Sequence, residues 1–95
     1  MIVHIVLMKF KDSHKDQIEP IRAALVALPR HIAEIRYFEV GVNIVESERA
    51  YDLSLYSKFD SLDGLKAYQT NAVHQEVLKL IREATSSVVA VDYQS

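Results

Sequence analysis

Cysteine is absent from the 95 residues. Disulfides and thiolate metal sites are therefore excluded, and nothing points to an oxidising compartment. Glycine occurs only at Gly41 and Gly64. A dinucleotide-binding fingerprint needs three glycines, and neither glycine here fits a P-loop, so both nucleotide motifs are excluded. There is no basic run either, and the net charge is −2. Phosphate-backbone binding draws on clustered Lys and Arg, so no nucleic-acid partner is expected. The apolar opening Ile2–Met8 lacks a basic n-region before it and is too short for a membrane span. It reads as a strand, which makes a cytoplasmic protein with no membrane partner the expectation. The four histidines, His4, His14, His31 and His74, lack the close pairing of a transition-metal site, so no metal and no cofactor is expected.

What is present is an ordinary globular composition, 49% hydrophobic and 25% charged. That argues against disorder and for one domain over residues 1–95 with a single core. Ile2–Phe10 is apolar on both faces, the mark of a strand covered on both sides. His4 interrupts its apolar set; by itself it reads as a satisfied core histidine. After a polar connection, Ile18, Ile21, Leu25, Leu28 and Ile32 recur at helical spacing, with N-cap candidates at Ser13 and Asp16. Pro20 falls near the first turn if the helix starts at Asp16, and Pro29 is expected to close it. His14 and His31 lie in polar segments and read as solvated.

Tyr37–Val45 alternates, with Phe38, Val40, Val42 and Ile44 on the apolar face. Tyr51–Phe59 alternates again, with Leu53, Leu55 and Phe59 inward, so the two form a hairpin. Asp60 or Ser61 caps a short helix carrying Leu62, Leu65 and Tyr68. A second stripe, Val73, Val77, Leu80, Ile81 and Ala84, ends at Ser86-Ser87, and Val88–Tyr93 is a last strand. The order βαββαβ is an α+β fold of ferredoxin-like type. Right-handed crossovers place both helical layers on one side of a four-stranded sheet. The other side would expose the apolar outer residues of the first strand, so a homodimer packed sheet to sheet is expected. RNA-recognition domains share this order, but their basic, aromatic third-strand motif is missing from Tyr51–Tyr56.

Tyr68-Gln69-Thr70-Asn71-Ala72-Val73-His74 is the stretch most suited to chemistry. Residues six apart stand roughly 240° apart around a straight helix, so Tyr68 and His74 cannot share a face of one. Asn71 is a good N-cap, which predicts a break there and places His74 in the first turn of a new helix. The positive end of the helix dipole disfavours imidazolium and leaves a neutral ring, suited to act as a base. The plainer reading is a Tyr packed at a helix end and a His helping to cap the turn.

The opening His4–Lys11, Phe38-Glu39-Val40-Gly41, Ala67-Tyr68-Gln69 with His74, and the closing Val91-Asp92-Tyr93 together resemble the stress-responsive dimeric α/β-barrel (Dabb) domain. The resemblance spans nearly the entire chain and implies a dimeric α+β barrel. Among its members is a cofactor-free polyketide cyclase. By that resemblance Tyr68 and His74 are a working pair, His4 a further site histidine and Asp92 a nearby carboxylate. Two departures stand out: Ala72 where many relatives carry Pro, and Leu53 where the cyclase has another His. The resemblance leads first to a small, partly apolar, carbonyl-containing ligand held between helices and sheet. The alternative it offers is cyclase-like proton transfer, with His74 as base, Asp92 or a backbone carbonyl orienting it, Tyr68 as oxyanion donor and His4 positioning the substrate. A monooxygenase of the same barrel type is a third reading.

Overall fold

A computed structural model covers residues 1–95. Strand β1 (Ile2–Phe10) leads through a 3₁₀ stretch (Asp12–Gln17) into helix α1 (Ile18–Val26) and a 3₁₀ turn (Leu28–Arg30). Strands β2 (Ile35–Val42) and β3 (Leu53–Phe59) follow, then helices α2 (Leu62–Thr70) and α3 (Ala72–Ala84), and strand β4 (Thr85–Gln94). The sheet order is β2-β3-β1-β4, with every neighbouring pair antiparallel. This is the expected α+β, ferredoxin-like arrangement.

Register decides which side chains meet. Val6 lies opposite Leu55 and Ala90, and Met8 opposite Leu53 and Val88. These positions share a face because side chains alternate along a strand. With Phe59 and Phe10 they form the floor of a core whose roof is Ile21 and Leu25 of α1, Leu65 and Tyr68 of α2, and Val77 and Ile81 of α3. All of these roof positions are buried, so each helix turns one stripe to the sheet.

Several element ends depart from the sequence expectation. Helix α1 starts at Ile18, and neither Ser13 nor Asp16 caps it; the preceding 3₁₀ stretch feeds it directly. Pro20 therefore stands in the first turn, where its missing N–H has no intrahelical partner to lose. Leu28 and Ile32 are buried but lie beyond the helix, in and after the turn that carries Pro29. Strand β2 begins and ends earlier than Tyr37–Val45, and Ile44 is 93% exposed at the hairpin tip. Its apolar face stops at Val42 because β3 begins only at Leu53. Ser86 and Ser87 do not end a helix: α3 stops at Ala84 and the chain enters β4 without a loop. His31 is exposed as expected, while His14 is half-buried and bonds the Ser13 hydroxyl at 2.7 Å.

Asp52 ties the start of β3 to the end of β1. Its carboxylate accepts the Phe10 N–H at 2.7 Å and the Lys15 ammonium at 3.1 Å. Burial by itself would raise its pKa, but the Phe10 N–H and the Lys15 and Lys9 charges outweigh that and hold it below the ordinary value. The folded pKa is depressed, so this contribution is complete above the unfolded value and is lost as pH falls through the carboxylate range. Melting temperature followed from about pH 6 to pH 2 should drop with an acid limb that Asp52→Asn weakens. An unchanged limb would assign the acid sensitivity to other carboxylates.

Candidate functional site

The site begins with the end of α2. Ser61 caps its start, accepting the Gly64 N–H at 3.1 Å. At the other end Thr70 turns its hydroxyl back to the Lys66 carbonyl at 3.0 Å, a local bond that competes with further helix. Asn71 then adopts an extended backbone (φ −61°, ψ 136°), and its side chain accepts the Val73 N–H at 2.8 Å. One helix ends and another begins at this residue, as its type predicts.

The break leaves the Gln69 carbonyl among the terminal groups that a helix cannot pair internally. His74 Nδ1 lies 3.2 Å from that oxygen, and Gln75 Nε2 donates to it at 2.6 Å. A carbonyl only accepts, so His74 carries its proton on Nδ1 and presents a lone pair at Nε2. Burial holds the His74 pKa below the ordinary imidazole value. The Gln69 bond opposes that shift, and the neighbouring His4 and Arg82 add to it. The ring is neutral at pH 7.

The bend also brings Tyr68 and His74 together, with ring centroids 4.2 Å apart. Tyr68 is wholly buried, its ring tilted against Phe59 at 5.0 Å and meeting His4 at 6.1 Å. Burial pushes its phenol pKa well up, so it is a donor and not a phenolate. Its hydroxyl has no hydrogen-bond partner, although two imidazoles stand beside its ring. His4, on the inner face of β1, bonds through Nδ1 to the Asp92 carboxylate on β4. The two residues lie directly opposite each other in the β1–β4 ladder. A carboxylate accepts, so this ring too is protonated at Nδ1 and keeps Nε2 for other partners.

His4, Tyr68 and His74 line one cavity of about 290 Å³ between helices and sheet. Gln69 and Gln75 are its other polar walls; Met8, Leu25, Leu55 and Ile81 are among its apolar ones. Asp92 does not line it and acts on it through His4. The sequence left two candidates for orienting His74, Asp92 or a backbone carbonyl; the Gln69 carbonyl does so, and Asp92 holds His4. Gln69 and Gln75 escaped the sequence reading. A main-chain oxygen has no residue type to betray it, and Gln75 is one polar residue among many on α3.

The family of the stress responsive A/B barrel domain matches residues 2–95. The chain belongs to the Dabb family. It is 35% identical over 97 residues to an uncharacterised protein of Streptomyces coelicolor, with 99% of each chain covered. A dimeric protein of unknown function and ferredoxin-like fold from Bacteroides fragilis superimposes with a TM-score of 0.89 at 34% identity, covering 99% of this chain and 95% of that one. A dimeric ferredoxin-like protein of unknown function from Thermobifida fusca gives 0.89 at 30% identity, covering 99% and 90%.

In this Dabb domain the cap at Asn71 has two consequences. Asn71→Ala removes the acceptor of the Val73 N–H and should cost about 1 kcal/mol of stability, measured by urea unfolding. It also releases the bend that sets Tyr68 against His74. The His74 ring signals in a proton–carbon NMR spectrum should therefore shift. A stability loss with unmoved His74 signals would mean that core packing alone holds the pair.

Proposed function

We propose that this Dabb protein binds a small, partly apolar carbonyl compound in the cavity of His4, Tyr68 and His74, and that it works as a homodimer. One observation carries the ligand reading: a tyrosine that lines an otherwise largely apolar cavity has a fully buried hydroxyl without a partner. Leaving such a group unpaired costs roughly 1–3 kcal/mol, a cost that a ligand oxygen accepting its proton removes. An apolar cavity of about 150 Å³ accepts a benzene, so about 290 Å³ suits a ligand of roughly a dozen non-hydrogen atoms. The homodimer is supported by the dimeric relatives from Bacteroides fragilis and Thermobifida fusca, and by the apolar outer side of β1 and β4.

A second reading rests on the tautomer of His74, fixed by the Gln69 carbonyl. A neutral imidazole with a free Nε2 is poised to take a proton from the carbon beside a carbonyl. Tyr68 then donates to the enolate oxygen, and His4, steadied by Asp92, orients the substrate. This is the proton transfer with which cofactor-free aldol cyclisation begins, and reprotonation at carbon returns the proton.

Acetophenone, 2-heptanone and acetylacetone in deuterated buffer test both readings. Binding should appear as shifts of the His4 and His74 ring signals. Exchange of the carbonyl-adjacent protons should be faster with the protein and fall by about 10²–10⁴ in His74→Ala. Because burial lowers the His74 pKa, the fall of this rate with decreasing pH should be centred below the ordinary imidazole value. Binding without exchange leaves the ligand reading and removes the catalytic one; no binding across the series removes both.

A further inference from the structure

The cavity of His4, Tyr68 and His74 is one-sided in its hydrogen bonding. His4 commits its Nδ1 proton to Asp92, and His74 commits its own to the Gln69 carbonyl. Above the ordinary imidazole pKa each ring then offers only a lone pair, at Nε2. Neither Nε2 bonds to any other group of the chain. Each histidine is only 7% exposed, yet the Tyr68 hydroxyl is the one sealed side-chain polar atom left without a partner. Both nitrogens therefore keep some open surface, and both rings line the cavity. The amides of Gln69 and Gln75 can give or accept a bond and do not tip the balance; the remaining walls are apolar.

A plain ketone answers only the tyrosine. Its oxygen accepts the Tyr68 proton, but it brings no donor to either imidazole. Seating it displaces water from two accepting nitrogens, and displacing water with a group that cannot reproduce its bonds loses affinity. A hydroxyl on the ligand restores one of those bonds. His4 is the nitrogen placed to receive it. The Asp92 carboxylate behind its Nδ1–H supports the positive charge that a bond at Nε2 draws onto the ring, as carboxylates do behind metal-bound histidines. His74, whose ring is nearer to Tyr68 (4.2 Å against 6.1 Å), has only a neutral carbonyl behind it. Both imidazoles border one phenol ring, so the ligand atoms they meet lie within a few bonds of the carbonyl oxygen on Tyr68. A carbon next to that carbonyl meets the requirement by itself: its hydrogen faces His74 and its hydroxyl faces His4.

We infer that the cavity selects α-hydroxy ketones over plain ketones, and that His4 determines this choice by accepting the hydroxyl hydrogen at Nε2 while Tyr68 holds the carbonyl. This rests on the carbonyl-ligand reading above and adds the hydroxyl to it. Asp92 takes part as a positioning residue, acting through His4 without touching the ligand.

Propiophenone, 2-hydroxypropiophenone and 2-methoxypropiophenone test it on the unaltered protein, because they differ only beside the carbonyl. NMR titrations at about pH 8 keep both rings above the ordinary imidazole pKa. The hydroxy compound should bind about three- to tenfold tighter than propiophenone, the worth of one neutral hydrogen bond, and the methoxy compound no tighter than propiophenone. In nitrogen-15 spectra the His4 Nε2 signal should move with the hydroxy compound and stay with the methoxy one. In His4→Phe the ratio of hydroxy to plain ketone affinity should collapse toward one, and Asp92→Asn should lower it part of the way. Equal affinity for the hydroxy compound and propiophenone would overturn the inference and leave the carbonyl reading standing. So would a methoxy compound that binds as tightly as the hydroxy one, since a donor would then not be what the site reads. A preference that survives in His4→Phe would overturn the assignment to His4. Should that variant fail to fold, the Nε2 signal of the unaltered protein decides: unmoved by a hydroxy compound that binds, it overturns the assignment equally. Failure of all three ketones to bind would instead remove the carbonyl reading, and this inference with it.

Discussion

Tyr68→Phe is expected to make the protein more stable and less able to bind a carbonyl compound. The hydroxyl is buried without a partner, beside Phe59, His4 and His74. Removing it deletes an unsatisfied polar atom while keeping the ring and its packing. The gain in unfolding free energy should be about 1 kcal/mol, at the low end of what an unpaired buried group costs. Opposite in sign, affinity for acetophenone or 2-heptanone should fall several-fold, since one neutral hydrogen bond is worth about 0.5–1.5 kcal/mol. If the site turns its ligand over, the loss in rate is larger. A donor aimed at a developing oxyanion is worth about 10²–10³. The two signs together mark a polar group kept for a ligand and not for the fold. Urea unfolding and NMR titration measure both on the same samples. A variant that loses more than about 1 kcal/mol and binds as before would show instead that an ordered water satisfies Tyr68 in the free protein.

Most of the architecture was legible because hydrophobic period maps directly onto which face is covered. Leu53, Leu55 and Phe59 alternate and are buried; of the stripe Val73, Val77, Leu80, Ile81 and Ala84, Val77, Ile81 and Ala84 are buried while Val73 and Leu80 lie at its margins, 39% and 48% exposed. Element ends were harder because they turn on pairing partners that no local pattern contains. Ile44 continues the alternation of β2 perfectly well, yet it has no strand opposite and stands in water. Ser86 and Ser87 look like a helix stop but belong to a strand, because β1 extends far enough to pair Lys9 with Ser87 and Phe10 with Thr85, leaving Ser86 at the register shift between them. At the site, the bend was legible from one residue, Asn71, whose side chain prefers capping to helix interior. The family resemblance placed His4 and Asp92 near it. The wiring was not legible, since it depends on a main-chain oxygen at Gln69 and on the cross-strand register that sets His4 opposite Asp92.

Phe59→Ala should be the most damaging single substitution in the floor of the site. Phe59 is completely buried at the end of β3, opposite Ile2 of β1 and Ile35 of β2, with the Tyr68 ring tilted against it at 5.0 Å. Truncating a buried phenylalanine costs about 3–5 kcal/mol, from lost transfer energy and the cavity left behind. A domain of this size has only about 5–15 kcal/mol in total, so the variant should sit near the edge of folding at 37 °C. Function should fail with stability, because Tyr68 loses the surface that sets its height above the sheet. Phe59→Leu should recover most of the loss, since a branched aliphatic refills much of the volume. Urea midpoints compared at one protein concentration measure this; concentration must be fixed because association adds stability by mass action. A cost below about 1 kcal/mol for Phe59→Ala would mean that α2 collapses onto the sheet to fill the void. In that case the ring of Tyr68 would be carried by its own helix, and the cavity should shrink, with ketone binding lost although the protein stays folded.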